Sequence, residues 1–195
     1  MPSDLERFDS ELLLRAYCQG IFPMGDDDGS IHWYSPDPRC IFDLDDFHVG
    51  KRLSRTCRQG MFEIKVNEAF EEVMWACAQR ETTWINKRIV EVYCELHEHG
   101  FAHSVEAYHQ GVLAGGLYGV SIGGAFMGES MFTRVTDASK VSLVYLVERL
   151  KSRGFVLLDT QYTNKHLASF NAKTISRNEY LTRLNAALVL NCRFD

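Results

Sequence analysis

Three polar side chains in apolar surroundings carry the chemistry of this chain: Glu129, Asp159 and Gln161. Glu129 interrupts the run GGLYGVSIGGAFMGESMF over Gly115–Phe132, and Asp159 and Gln161 close the short apolar run FVLLDT and its next residue. Leu117, Phe126, Met131, Leu143, Leu146 and Leu158 surround them in the sequence pattern. An apolar pocket with a few convergent polar groups is the general form of a small-ligand site. The chemistry it suits is transfer to an amine, because a carboxylate can hold an incoming ammonium and help remove its proton. A charge inside an apolar run needs a partner or a shifted pKa, so Glu129 is expected to have a cationic or hydrogen-bonding neighbour. The competing reading is a carboxylate at an exposed strand end.

A second group sits at TTWINKRIVEVY, where Trp84 precedes a helix and stands next to Lys87 and Arg88. An indole beside two cations could stack a base while the cations hold phosphate; equally, the indole could simply pack at a helix start. A third group is the basic face Lys51, Arg55 and Arg58, with Arg52 nearby. Such a face is commonly only solvated, but its segregation in an acidic chain also fits phosphate contact.

In composition, the 195 residues are 46% hydrophobic, enough for one large domain with a small N-terminal appendage. The expected division is a region over 1–60 (helix, aromatic loop, basic helix) and a catalytic domain over 61–195. The net charge of −5 argues against a sequence-independent nucleic-acid coat but leaves room for a local RNA contact. No apolar run approaches the roughly eighteen residues that a membrane-spanning helix needs. The opening MPSDLERFDSE is too acidic and polar for a signal peptide, so a cytoplasmic protein without membrane contact is expected. The six cysteines lack any CxxC pair and read as free, mostly buried thiols. His97, His99 and His103 do not share a helix face, and no metal site is expected.

The elements that must position these residues follow from periodicity and turn chemistry. Asp9–Gln19 reads as a helix ended by Gly20, and residues 20–39 as a long irregular loop that is either a packed loop or a wall of a cleft. Cys40–Leu44 reads as a strand, Val49–Gln59 as a helix, and Met61–Val66 as a strand. Asn67 is expected to cap a helix through Ala78, and a further helix ends at Gly100. Ala102–His109 and Val112–Val120 form a hairpin, and the central glycine-rich stretch forms two strands about Ile122–Gly124. Asp137 or Ser139 caps a helix through Arg153. Phe155–Thr160 is a buried strand whose terminal polar groups point into a cleft, and SRNE at 176–179 opens the last helix. No Walker A loop, Rossmann fingerprint, GxSxG elbow or HExxH is present.

Eight short motifs occur in order along the chain. They are GIFP at 20–23, SPDPR at 35–39, TWI at 83–85, HS-E at 103–106, GGLYGV at 115–120, GESMF at 128–132, ASK at 138–140 and LLDTQ at 157–161. Together they resemble the leucyl/phenylalanyl-tRNA–protein transferases from about Leu12 to Ala187. The resemblance implies an α+β fold, a mixed sheet flanked by helices like that of the GCN5-related N-acetyltransferases. It implies transfer of Leu or Phe, and less readily Met, from aminoacyl-tRNA to an N-terminal Arg or Lys of acceptor proteins. The product is an N-end rule degradation signal. No cofactor and a monomeric enzyme are expected.

Motif by motif, the resemblance gives Asp159 the place of the family's proposed catalytic carboxylate and Gln161 that of its relay partner. Glu129 takes the place of the carboxylate that holds the amino groups. Trp84 matches the tryptophan that stacks on the terminal adenine, and Tyr17 and Tyr93 fall at positions lining the same cleft. Leu117, Phe126, Leu143, Leu146, Leu150 and Leu158 match the side-chain pocket, Met131 helps to shape it, and the glycines, Gly128 among them, let backbone approach the ester. Met24 stands where the family often has Trp. The alternatives are a transferase with altered preference for N-terminal Asp or Glu, an acyl-CoA N-acetyltransferase of the same fold, and a non-catalytic tRNA- or peptide-binding module.

Overall fold

The computed structural model describes residues 8–26, 28–79 and 83–195. The acidic opening segment up to residue 7, and Thr82 of the tryptophan motif, lie outside the described residues.

Seven strands form one sheet in the order β4-β5-β6-β7-β8-β3-β9. They are β3 (Arg39–Phe42), β4 (Glu63–Val66), β5 (Ala102–His109), β6 (Val112–Ile122), β7 (Ala125–Thr133), β8 (Leu157–Gln161) and β9 (Lys173–Ile175). Every pairing is antiparallel except β7 with β8, which run parallel. The sheet is thus mixed, as expected. The β5–β6 hairpin turns at Gln110 and Gly111, with φ of 52° and 77°, a left-handed pair whose twist matches that of the flanking strands. Helix α5 (Ala138–Ser152) makes the connection between the parallel pair that a hairpin cannot make.

The sheet is covered on both faces. On one lie α1 (Ser10–Cys18), α3 (Phe70–Ala78), α4 (Lys87–Glu98) and α7 (Arg177–Leu188), which share a core with Tyr118, Val120 and Met127. On the other lie α2 (Lys51–Arg58), α5 and the short α6 (Lys165–Ala168), packed with Leu117, Phe126 and Leu158. The alternation along β6 and β7 assigns neighbouring side chains to opposite cores. Glu129 sits on β7, so the carboxylate singled out in the sequence is held by an interior strand.

The structure corrects several sequence expectations. Residues 20–39 are not irregular throughout: β1 (Phe22–Gly25) and β2 (Ile31–Tyr34) form a two-stranded hairpin. Its inner end is fixed by Gly25, whose N–H donates to the Trp84 carbonyl at 3.0 Å. A Cβ at Gly25 would stand 2.4 Å from the Asn86 side chain, so only glycine permits this approach. Asn67 does not cap α3; Ala69 occupies that place, and the Asn67 side chain instead accepts from the Ser104 N–H at 3.1 Å. Asp137 stands at the start of α5 in a left-handed conformation, yet its carboxylate turns away from the helix and pairs with Arg52 and Lys140. Strand β3 lies between β8 and β9, so a division at residue 60 would cut it out of the sheet it belongs to. Of the six free cysteines only Cys40 and Cys77 are buried, fewer than expected.

The histidines have packing roles. His97 stacks on Phe70 with ring centroids 4.4 Å apart, and His103 on Phe194 at 4.3 Å. Among the described residues no helix is long and apolar enough to cross a membrane.

Candidate active site

Two irregularities in the sheet make the site. Along the β6–β7 ladder Tyr118 faces Ser130 and Gly119 faces Gly128, so Glu129 is an extra residue with no partner opposite. A bulge of this kind kinks the strand and re-aims a side chain. Gly119 is what allows it: a Cβ there would lie 2.3 Å from the Met127 carbonyl and 2.4 Å from the Phe126 ring. Across the sheet, Cys40 faces Gln161 and Ile41 faces Asp159, which makes Thr160 an extra residue on β8. The parallel ladder joins only Ala125–Met127 to Leu157–Asp159. Beyond it both strands continue unpaired to each other, and a cavity of about 280 Å³ occupies the opening.

The cavity gathers most of the residues named from the sequence. Glu129, Gln161, Trp84, Leu117, Gly128, Met131, Leu143, Leu146 and Leu158 all line it. Phe126 and Leu150 do not; both are completely buried behind the wall, and Phe126 stacks on Phe194 at 5.2 Å. Tyr17 and Tyr93 also stand behind the wall, where they support Glu129. The Tyr17 hydroxyl donates to Glu129 Oε1 at 2.7 Å, and Tyr93 bonds in turn to Tyr17. Gln161 Nε2 donates to the same oxygen at 3.1 Å, closing the gap between the parted strands. The partner expected for Glu129 is therefore a set of hydrogen-bond donors.

Asp159 is the main correction. The sequence placed it at a strand end pointing into a cleft; it is fully buried and absent from the cavity wall. Arg39 Nε reaches Oδ1 at 2.9 Å and Arg39 Nη2 reaches Oδ2 at 2.6 Å. The Tyr180 hydroxyl donates to Oδ2 at 3.0 Å, and the Gln161 N–H donates to Oδ1 at 2.9 Å. The last bond holds Gln161 at a φ of 56°, a left-handed turn that presents its side chain to Glu129. The relay from Asp159 to Gln161 thus exists as a scaffold contact through the backbone. Arg39 is itself buried between the Phe22 and Tyr180 rings, 4.8 Å and 4.4 Å from their centroids. Burial works against its charge, but Asp159 outweighs burial and raises its pKa.

Burial pushes the Glu129 carboxyl from 4.5 up to about 8, with the Asp159 charge adding to the rise; the Tyr17 and Tyr93 hydroxyls and Arg39 oppose it. Both tyrosines are raised well above 10, first by burial, so they remain donors. The folded protein therefore holds a proton on Glu129 at pH values where the unfolded chain has lost it. The associated stability is complete below about pH 4.5 and is lost as pH rises toward about 8. In urea unfolding, Glu129→Gln should gain on the wild type between pH 5 and pH 8. An equal difference at both pH values would show that Glu129 titrates normally.

The basic residues stand outside the cavity wall. Lys51, Arg55 and Arg58 lie on α2, away from the cavity, while Arg52 is engaged with Asp137. Lys87 and Arg88 open α4 just beyond the cavity-lining Trp84; Lys87 pairs with Glu91 at 3.5 Å, and Arg88 lies over Phe8. Phe22 and Met24 line the cavity too, so part of the 20–39 stretch is a wall of the cleft; sequence reasoning missed Tyr118, Ser130, Thr160, Tyr162, Asn164, His166 and Leu167, which help complete the lining. It also missed Arg39 and Tyr180 as supports. The motif SPDPR ends on Arg39 and was the available signal, but nothing in it shows a guanidinium turned inward.

Comparison with known proteins bears on this site. The family model described as leucyl/phenylalanyl-tRNA protein transferase matches residues 41–185, and that of the N-terminal domain of the same family matches residues 6–37. A leucyl/phenylalanyl-tRNA–protein transferase of Gloeobacter violaceus is 56% identical over 94% of this chain and 96% of its own length. One from Salinibacter ruber is 52% identical over 96% of this chain and 82% of its own. Among solved structures, a GCN5-related N-acetyltransferase-like protein from Streptococcus suis gives a TM-score of 0.43 at 14% identity, over 86% of this chain and 64% of that one. The two family models together run from the first helix through the bulged strands to the last helix, and these relatives share half of the aligned positions or more. The chain with Glu129 on its bulge therefore belongs to the leucyl/phenylalanyl-tRNA–protein transferase family.

Proposed function

We propose that this protein transfers Leu or Phe, and less readily Met, from aminoacyl-tRNA to the N-terminal Arg or Lys of acceptor proteins. The reaction forms a peptide bond and leaves an N-end rule degradation signal. One observation carries the reading: the Glu129 carboxylate, held on its bulge by Tyr17 and Gln161, faces a cavity walled by leucines, with a tryptophan on the same lining. The leucine wall takes the γ-branched or flat side chain of the donor, and Trp84 stacks on the terminal adenine. A misfit methylene costs only about 1–3 kcal/mol, so selection among Leu, Phe and Met is graded.

The donor ester is already activated, and the acceptor α-amine has a pKa of about 8. Positioning the two reactants therefore supplies much of the rate. Glu129 takes the proton that the amine loses as it attacks the ester carbonyl; the ester C–O bond then breaks, and the 3′-oxygen of the tRNA leaves with a proton, so the tRNA departs as its free hydroxyl. A base matched to the operating pH is the efficient one. Its negative form also favours a cationic N-terminal residue. Asp159 and Gln161 act as positioning residues: Asp159 sets the backbone turn, and Gln161 orients the carboxylate.

Incubating charged Leu- and Phe-tRNA with peptides beginning in Arg, Lys, Asp or Glu tests the reading. Transfer to the basic pair is expected; transfer to the acidic pair would reverse the acceptor assignment, and no transfer would reject the activity. Trp84→Ala should weaken binding of 3′-aminoacyl-adenosine analogues by about 1–3 kcal/mol, and unchanged affinity would remove the stacking role. Lys51, Arg55 and Arg58 on α2 and, on the opposite face of the sheet, Lys87 and Arg88 at the start of α4 are two separate basic sets that would meet tRNA phosphates. Neutralising the α2 set should flatten the salt dependence of tRNA binding; an unaltered slope in a filter-binding titration would exclude that set.

A further inference from the structure

Most polar side chains on the cavity wall are already engaged with protein. Glu129 and Gln161 bond to each other at 3.1 Å. Thr160 Oγ1 donates to the Cys40 carbonyl at 3.3 Å, and Asn164 Oδ1 accepts from the Leu167 N–H at 2.8 Å. His166 is different. It lines the same cavity, yet its Nε2 is buried and has no hydrogen-bond partner among the described residues.

The segment that carries the ring is held in place. The ring meets Phe170 edge-to-face at 5.4 Å, and the His166 carbonyl accepts from the Ser169 hydroxyl at 2.6 Å. Asn164 caps the turn that carries it. Burial, with the Lys140 charge adding to it, lowers the pKa of the imidazole from its ordinary value. At neutral pH the ring is therefore uncharged, with one nitrogen donating and the other accepting. A buried nitrogen left without a partner is costly; the ring as a whole is only half-buried, and a small turn of it would bring that nitrogen to a group entering the cavity and relieve the cost.

We infer that His166 binds the aminoacyl donor through a hydrogen bond from or to the 2′-hydroxyl of its terminal ribose. The inference rests on the transferase reading above. It follows from how the cavity is divided. Leu143, Leu146 and Leu167 line the cavity from the core on the α5 side of the sheet, an apolar wall; Phe22 and Trp84 line it from the opposite core, with Tyr162 edge-on to Phe22 at 5.9 Å, an aromatic wall. A donor whose side chain meets the first and whose adenine meets the second carries its ribose between them. His166 precedes Leu167 directly and follows Tyr162 by four residues, so it belongs to the segment joining the two walls. A hydroxyl both donates and accepts, and so satisfies either tautomer of the imidazole. An ester carbonyl satisfies only one. The 2′-hydroxyl is also the group by which a site tells RNA from DNA.

The test compares 3′-O-phenylalanyl-adenosine with its 2′-deoxy counterpart as donors to an Arg-initiated peptide. Wild type should prefer the hydroxyl-bearing donor by roughly tenfold in kcat/KM, the value of one neutral hydrogen bond. His166→Leu should bring that ratio close to one, with the loss falling on the hydroxyl-bearing donor; transfer that remains from the deoxy donor shows that the variant is folded. His166→Gln, with a polar side chain of similar reach, should restore part of the preference. A wild-type ratio near one, or a ratio retained in His166→Leu, overturns the inference. Should His166→Leu not fold, an undiminished ratio in His166→Ala overturns it equally, and a lost ratio supports it. Wild type inert toward both donors and toward charged tRNA rejects the transferase reading itself, and this inference with it. Such inertness is distinct from any change in the ratio.

Discussion

Exchanging Glu129 for Gln should lower kcat for aminoacyl transfer by about 10²–10⁴-fold, the range for loss of a positioned general base. The substitution is close to isosteric. The carbonyl oxygen of the introduced amide can still accept from the Tyr17 hydroxyl and from Gln161 Nε2, which Glu129 Oε1 receives at 2.7 Å and 3.1 Å. What disappears is the proton acceptor, so KM for the donor should move little. The pH profile is the sharper reading. With the Glu129 carboxyl at about 8 and the α-amine also near 8, both must be deprotonated for base-assisted attack. Below that pH, log kcat/KM of the wild type should climb with a slope approaching about two, and that of Glu129→Gln with about one. A variant that keeps the wild-type rate within about threefold and the same slope would dismiss Glu129 as the base and leave positioning as the main source of rate.

The glycine-rich hairpin, the helices and the leucine wall were legible because each rests on local chemistry. Gly123 sits at a φ of 57° and turns β6 into β7, and the alternation of Leu117, Phe126 and Leu158 against Tyr118 and Met127 divides the two cores. Glu129 was noticeable as a charge in an apolar run. What could not be read was depth. Asp159 and Glu129 look equivalent in sequence, one carboxylate near the end of each apolar run. Their opposite fates depend on two bulges and on Arg39, which enters from a strand 120 residues earlier. The sequence also hid the β1–β2 hairpin, because its strands are only four residues each and its register depends on the contact between Gly25 and Trp84. His166 gave no signal at all, since an unpartnered nitrogen is a property of the folded cavity.

Breaking the Arg39–Asp159 pair should produce the largest loss of stability of any single change in the site. Both side chains are buried, at 1% and 0% exposure. Arg39→Met leaves a carboxylate without its cation, and Asp159→Ala leaves a guanidinium between two aromatic rings without its anion. Each should cost about 3–5 kcal/mol in urea unfolding. The double variant Arg39→Met/Asp159→Leu should recover much of that loss, because apolar residues of similar volume can replace a buried pair at little net cost. Recovery in the double variant would show that the singles fail through an uncompensated charge; equal additive losses would point to lost packing instead. Activity then separates support from catalysis. The double variant removes the acceptor for the Gln161 N–H and frees Gln161 from the turn that aims it at Glu129, so it should stay folded yet transfer slowly. Asp159→Asn, assayed at a temperature where it remains folded, should keep the slope of about two to which Glu129 contributes, with the Glu129 part moved to lower pH because the Asp159 charge helps hold that carboxyl up. Were Asp159 itself the base, the slope would fall to about one in Asp159→Asn and stay near two in Glu129→Gln.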